Sequence, residues 1–185
     1  MSNDISTCKA ELRRTMRTQR ATQDPAQGNG LKNIVLASGL IPPHAVIGGF
    51  MPMRGEINIL PLLHELHRRN HRLALPETPP TGQALIFRAW TPDTQLRVGR
   101  FGTEYPDTPP LQPDFLLVPL LAFDLHGNRL GYGAGHYDRT IATILPDAFR
   151  LGCAYAMQQV EHIPTEPTDQ PLHAVATEHA IIKFL

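Results

Sequence analysis

Apolar positions recur along this chain in two rhythms, one helical and one of short unbroken runs. Ile5, Cys8, Leu12 and Met16 stand three, four and four residues apart, which predicts an amphipathic helix capped by Asn3 or Asp4. The turn-forming stretch 23–30 (QDPAQGNG) then leads into a short second helix over 31–40. A third helix is predicted over 59–70, with Asn58 as its cap and Pro61 tolerated in its first turn, and a fourth from His136 to Leu145, stopped by Pro146. Between them lie apolar runs bounded by Pro and Gly, read as strands at 45–51, 72–75, 84–90, 114–121 and 151–157, with a last one at 179–185. The run 114–121 is the most apolar and is therefore expected at the centre of the sheet, while the segment from Ala122 to the fourth helix reads as a long loop. Strands that alternate with helices predict an α/β fold: one three-layer domain with a mostly parallel central sheet flanked by helices, and ligands gathered at the carboxyl ends of the strands.

Composition narrows the picture. At 185 residues the chain suits one domain over its whole length, 1–185. Hydrophobic residues at 42% and charged ones at 18% exclude disorder through excess charge. The 17 Lys and Arg balance the 17 Asp and Glu, so no global field draws the protein to nucleic acid or to an anionic membrane, and neither is expected as a partner. Eighteen prolines and fourteen glycines argue against a helical bundle. Cys8 and Cys153 are far apart and form no CxxC pair, so both read as reduced thiols of a cytoplasmic protein, and neither a secretory leader nor a membrane span is evident. The oligomeric state is left open, with a monomer compatible.

The chemistry-bearing segment is 129–139, RLGYGAGHYDR, which follows a buried strand and leads into a helix. Glycine at 131, 133 and 135 lets backbone N–H groups approach an anion, and a helix start adds its positive end. Neither the P-loop nor the dinucleotide fingerprint is matched. Glycines alone more often serve a chain reversal; Arg129 before them can grip a phosphate and Asp138 after them can hold Mg²⁺, which leaves phosphate binding and a plain turn as equal readings. Lys9, Arg13 and Arg17, four apart on the first helix, form either a solvated basic stripe or cations for a polyanion, and taken alone the solvated stripe is favoured.

The stretch 118–139, VPLLAFDLHGNRLGYGAGHYDR, resembles the signature of the 5-formyltetrahydrofolate cyclo-ligase family, also called methenyltetrahydrofolate synthetase. The likeness extends in order to KAELR (9–13), GFMPMRGEI (49–57), Leu75-Pro76, FRAW (87–90), VGRFGTEYP (98–106) and IPTEPTDQPLHAVATE (163–178). The resemblance implies that 5-formyltetrahydrofolate and ATP become 5,10-methenyltetrahydrofolate, ADP and phosphate, with Mg²⁺ as cofactor and no covalent enzyme intermediate. It assigns Lys9 and Arg13 to ATP, leaving Arg17 without a match. Arg129, Leu130, Gly131, Tyr132, Gly133, Ala134, Gly135, His136 and Tyr137 would wrap the triphosphate, and the inner part, Tyr132 to His136, would also border the folate. Met51 and Glu56 would line the folate pocket, Glu56 accepting N–H bonds from the pterin ring. Asp138 and Asp169 would carry Mg²⁺.

Two positions depart from the family pattern. Ala134 stands where glycine or lysine is usual, which restricts positive φ there, and His136 replaces the usual tyrosine or phenylalanine. They are the sole support for an alternative in which the fold binds folate or nucleotide without turnover; the same scaffold acting on a different amide is a weaker third reading. His64, His67 and His71 lack the spacing of a metal-binding helix and read as polar surface, and Trp90, Phe101 and Tyr105 read as core aromatics.

Overall fold

The computed structural model describes residues 2–184. Four helices, α1 (Ser2–Arg20), α2 (Gly28–Ala37), α3 (Leu60–Arg68) and α4 (His136–Thr143), surround a sheet of seven strands. In chain order these are β1 (Val46–Gly48), β2 (Arg72–Glu77) and β3 (Ile86–Trp90); two further strands, β4 (Leu96–Val98) and β5 (Glu104–Pro106), form a separate ribbon. Then come β6 (Phe115–Pro119), a small hairpin of β7 (Ala122–Phe123) and β8 (Arg129–Leu130), and finally β9 (Phe149–Cys153), β10 (Ala174–Ala176) and β11 (Ile181–Lys183). The sheet order is β11-β10-β9-β6-β1-β2-β3. The five inner strands are parallel, and β3 and β11 close the two edges antiparallel.

The expected α/β architecture is present, and β6 occupies the middle of the sheet as its apolarity predicts. Alternation along β6 explains the layers: Phe115 and Leu117 enter one core with Leu31 and Val35 of α2 and Leu62, Leu63 and Leu66 of α3. Leu116 and Val118 enter the opposite core with Ile141 of α4. Burying each such side chain contributes about 1.5–3 kcal/mol, so a strand apolar on both faces belongs in the centre. A methyl on Gly48 would lie 2.8 Å from both Leu116 and Phe87, so a side chain at this position would force these two members of the second core to shift.

Several expectations need correction. The "loop" after Ala122 contains the β7–β8 hairpin, held where Leu121 N–H donates to the Leu130 carbonyl at 2.7 Å. β10, β4 and β5 were not foreseen, because three-residue strands carry too little alternation to register. The final strand is limited to Ile181–Lys183, and Leu185 lies outside the described residues. Since α1 already runs from Ser2, Asn3 and Asp4 lie inside the helix and do not cap it. The face of α1 is rotated from the predicted one: Cys8 is exposed, whereas Lys9, Met16 and Arg20 are buried. The two cations can turn inward because acceptors meet them there. Asn58 does serve the start of α3, its side-chain oxygen accepting from Leu60 N–H at 3.0 Å. No helix of the described residues is long and apolar enough to cross a membrane.

Candidate active site

A cavity of about 830 Å³ opens at the carboxyl ends of β1, β2 and β6. Its walls come from α1, the segment after β1, the β4–β5 ribbon, the glycine-rich turn with the start of α4, and residues 166–170. Lys9, Arg13, Met51, Glu56, every residue from Arg129 to Asp138, and Asp169 all line it.

The turn owes its shape to two glycines. Gly133 has φ +103° and Gly135, which caps α4, has φ +66°, conformations that a side chain would strain. Gly131 has no such requirement, and a methyl added there would meet nothing within 4 Å. Ala134 is absent from the positive-φ residues, so the feared backbone restriction does not arise. The guanidinium of Arg13 reaches the turn, donating from Nε to the Gly131 carbonyl at 2.9 Å. Burial and the neighbouring Arg17 lower its pKa from the usual arginine value.

Two of the cavity's cations, Lys9 and Arg129, are already paired. Lys9 Nζ donates to Glu166 at 2.8 Å and to Asp169 Oδ2 at 2.7 Å. Burial works against its ammonium, but these two carboxylates outweigh it and raise its pKa above the ordinary lysine value. Arg129, with a side chain 5% exposed, donates from Nη2 to Asp138 Oδ1 at 2.7 Å and from Nη1 to the Gln170 carbonyl. Gln170 N–H donates to the same Asp138 oxygen at 3.0 Å.

These pairs bear on the metal that the resemblance implies. Among the described residues no three His, Cys, Asp or Glu side chains converge as a cage. Asp138 and Asp169 are partly open, at 27% and 29%, and in each the protein's hydrogen bonds fall on one oxygen only. Mg²⁺ is commonly held by one or two carboxylates with phosphate oxygens and waters, so this donor set fits it.

Glu56, which lines the same cavity, is 8% exposed. Its Oε2 accepts from Met53 N–H at 2.9 Å and its Oε1 from the Tyr132 hydroxyl. Burial raises its pKa above the ordinary carboxyl value, against the pull of Tyr132, Met53 N–H and the charges of Arg20 and Arg54. Burial likewise pushes up the Tyr132 and Tyr137 hydroxyls, the Glu56 charge adding to it, so both are neutral donors at physiological pH. The Tyr137 hydroxyl is buried without a hydrogen-bond partner. His136 Nδ1 lies 3.0 Å from the Gln83 carbonyl, which only accepts, so Nδ1 carries the hydrogen and the buried Nε2 has no partner.

The profile of the 5-formyltetrahydrofolate cyclo-ligase family matches residues 5–178. The chain belongs to this family. A 5-formyltetrahydrofolate cyclo-ligase of Haemophilus influenzae is 40% identical over 126 residues, 64% of this chain and 67% of that one. One of Escherichia coli K12 is 37% identical over 136 residues, 69% and 75%. A solved structure of Aquifex aeolicus 5,10-methenyltetrahydrofolate synthetase superposes with a TM-score of 0.77 at 28% identity, covering 95% of this chain and 92% of that one.

In this cyclo-ligase family member, every position that the resemblance assigns to a ligand or metal lines one cavity, and others join them there. Arg17 lines it too, its guanidinium 6.0 Å above the Tyr132 ring, although no motif marked it. Phe101 is not core: it is 56% exposed on the turn between β4 and β5, its ring 6.4 Å from His136. Trp90 is buried as expected and stacks on His64. Glu166 was missed, although it stands three residues before Asp169, and so was Arg20, which continues the series Arg13 and Arg17 at helical spacing.

Proposed function

We propose that this chain is a single-domain, cytoplasmic enzyme that converts 5-formyltetrahydrofolate and ATP, with Mg²⁺, to 5,10-methenyltetrahydrofolate, ADP and phosphate. The observation that carries the reading is the cavity itself: a glycine turn flanked by Lys9, Arg13 and Arg129, and the buried acceptor Glu56 lining the same space. A triphosphate suits the first and a 2-amino-4-oxo pterin ring, with two N–H donors for one carboxylate, suits the second. The names of the relatives support the folate substrate and the folate product.

The chemistry needs a better leaving group than an amide oxygen. The formyl oxygen attacks the γ-phosphorus and ADP departs; N10 then adds to the activated carbon, loses its proton, and phosphate leaves with the C–O bonding electrons. The protein's part is to align reactants and to neutralise charge. Lys9, Arg13, Arg129 and the N–H groups of the turn would hold the triphosphate. Lysine has three donors and arginine five, so Lys9 and Arg129 keep donors for phosphate without abandoning Asp169 and Asp138. Asp138 and Asp169 would hold Mg²⁺, which supplies charge neutralisation at the phosphates. Glu56 would orient the pterin so that the formyl group faces the turn, and Met51 would pack beside it.

The test mixes the protein with Mg·ATP and 5-formyltetrahydrofolate and follows the near-ultraviolet absorbance of the methenyl product together with ADP. Stoichiometric appearance of both is expected. Tight folate binding without product at any pH would replace the enzyme by a binding module.

A further inference from the structure

Arg20, the last residue of α1, is 1% exposed and no motif assigns it a role. Its Nη1 donates to the Leu120 carbonyl at 3.2 Å, and its Nη2 donates at 2.8 Å to both the Arg54 carbonyl and the Tyr132 hydroxyl oxygen. Its Nε is buried without a partner. A guanidinium withdrawn from water among neutral acceptors is costly, and its compensating charge lies one hydrogen bond further on. Arginine can only donate, so the Tyr132 oxygen is an acceptor on that side and its own hydrogen must point elsewhere. That hydrogen goes to Glu56 Oε1. With Met53 N–H on Oε2, both carboxylate oxygens are met by donors, the arrangement that favours the ionised form, and each oxygen retains acceptor capacity for a ligand.

We propose that Arg20 is a positioning residue for the folate end of the site: it commits the Tyr132 hydrogen to Glu56, and so fixes the carboxylate as the acceptor for paired N–H donors on the substrate ring. The relay is a property of this chain's own side chains; what it receives rests on the folate reading above. The groups that face Glu56 are Arg20 from α1, Arg54 from the segment after β1, Tyr132 from the turn and Tyr137 from α4. Of these, Arg20 alone holds Tyr132 by a hydrogen bond.

The experiment compares Arg20→Met, Arg20→Lys, Tyr132→Phe and their doubles. One readout is 5-formyltetrahydrofolate binding by calorimetry across pH 5.5–8.5; the other is the Glu56 carboxylate titration by ¹³C NMR, assigned with Glu56→Gln. Arg20→Met is expected to raise the Glu56 midpoint by about one pH unit and to weaken folate binding about tenfold at neutral pH, with ATP affinity changed less than about twofold. Arg20→Lys should restore most of the midpoint. In the Tyr132→Phe background the effect of Arg20→Met should shrink several-fold, because the relay is already cut. An unmoved midpoint, equal loss of folate and ATP binding, or full additivity with Tyr132→Phe would overturn the proposal. If Arg20→Met fails to fold, Arg20→Gln, which keeps a polar side chain but removes the charge and most of the donors, and its double with Tyr132→Phe provide the same comparison. A shifted midpoint in a chain that shows no turnover would retain this inference and remove the proposed function; normal turnover with an unmoved midpoint would do the reverse.

Discussion

Asp138→Asn separates the structural from the chemical use of one carboxylate. The amide keeps Oδ1 as an acceptor, so the hydrogen bonds from Arg129 Nη2 and Gln170 N–H survive in form; what is lost is the charge and the second, unpartnered oxygen. Breaking a buried ion pair outright costs about 3–5 kcal/mol. Here the arginine also donates to the Gln170 carbonyl, and Asp138 is 27% exposed, so the remaining cost is that of exchanging a charged acceptor for a neutral one, about 1–2 kcal/mol. For a chain of this size that corresponds to a Tm lowered by roughly 2–8 °C, leaving the protein folded at room temperature. Turnover should fall far more. Removing an anionic ligand from the cation that offsets charge on the transferring phosphoryl group is expected to cost about 3 kcal/mol or more in the transition state, a rate loss of at least about a hundredfold. Half-saturation by Mg²⁺ should rise about tenfold. The assays are thermal unfolding and initial rates of methenyl product formation over an Mg²⁺ series. Rates within about twofold of the parent chain, with unchanged Mg²⁺ dependence, would refute the placement of the metal and the reasoning from Asp138.

Glu56→Gln is expected to weaken 5-formyltetrahydrofolate binding while leaving ATP binding near normal, and the opposite pattern would reassign the residue. Because burial raises the Glu56 pKa above its ordinary 4.5, the folded chain binds this proton more tightly than the unfolded one, so stability falls as pH climbs past 4.5 toward the folded value. The stability of Glu56→Gln relative to the parent should therefore improve over that rise and be constant below it; urea titrations at several pH values check this. Gly133→Ala should lower Tm and ATP affinity together, since φ is +103°, whereas Gly131→Ala should fold with unchanged Tm because its methyl meets open space. Equal Tm losses for the two would contradict the turn geometry. Cys8 is exposed, and Cys153 is buried with its thiol pushed up by burial, so a thiol reagent near pH 8 should modify one cysteine in the folded protein and both after denaturation.

What the sequence revealed follows from how locally each feature is encoded. The β6 strand was legible because its apolar run leaves no polar face, and that alone places it between two layers. The turn was legible because Gly133 and Gly135 answer a local demand of the backbone. β7, β8 and β10 were not, because strands of two or three residues exist through partners elsewhere in the chain: β8 needs β7, and β10 needs both β9 and β11. The same distinction governs charge. Helical spacing put Lys9, Arg13 and Arg17 on one side of α1, yet the choice between a solvated stripe and a site turns on acceptors more than a hundred residues away, at Gly131 and Asp169.

Arg20 shows the limit most sharply. An arginine at the end of a helix, after an acidic first turn, looks like an ordinary response to the helix dipole. Its burial becomes intelligible only when Leu120, Arg54 and Tyr132 arrive from three other segments with oxygens aimed at it. The carboxylate that offsets this charge, Glu56, lies beyond the tyrosine, so neither the cation nor the anion carries a sequence sign of the other. A site assembled from such relays draws its polar partners from distant segments of the chain, and for that reason its logic is readable in coordinates and almost mute in spacing.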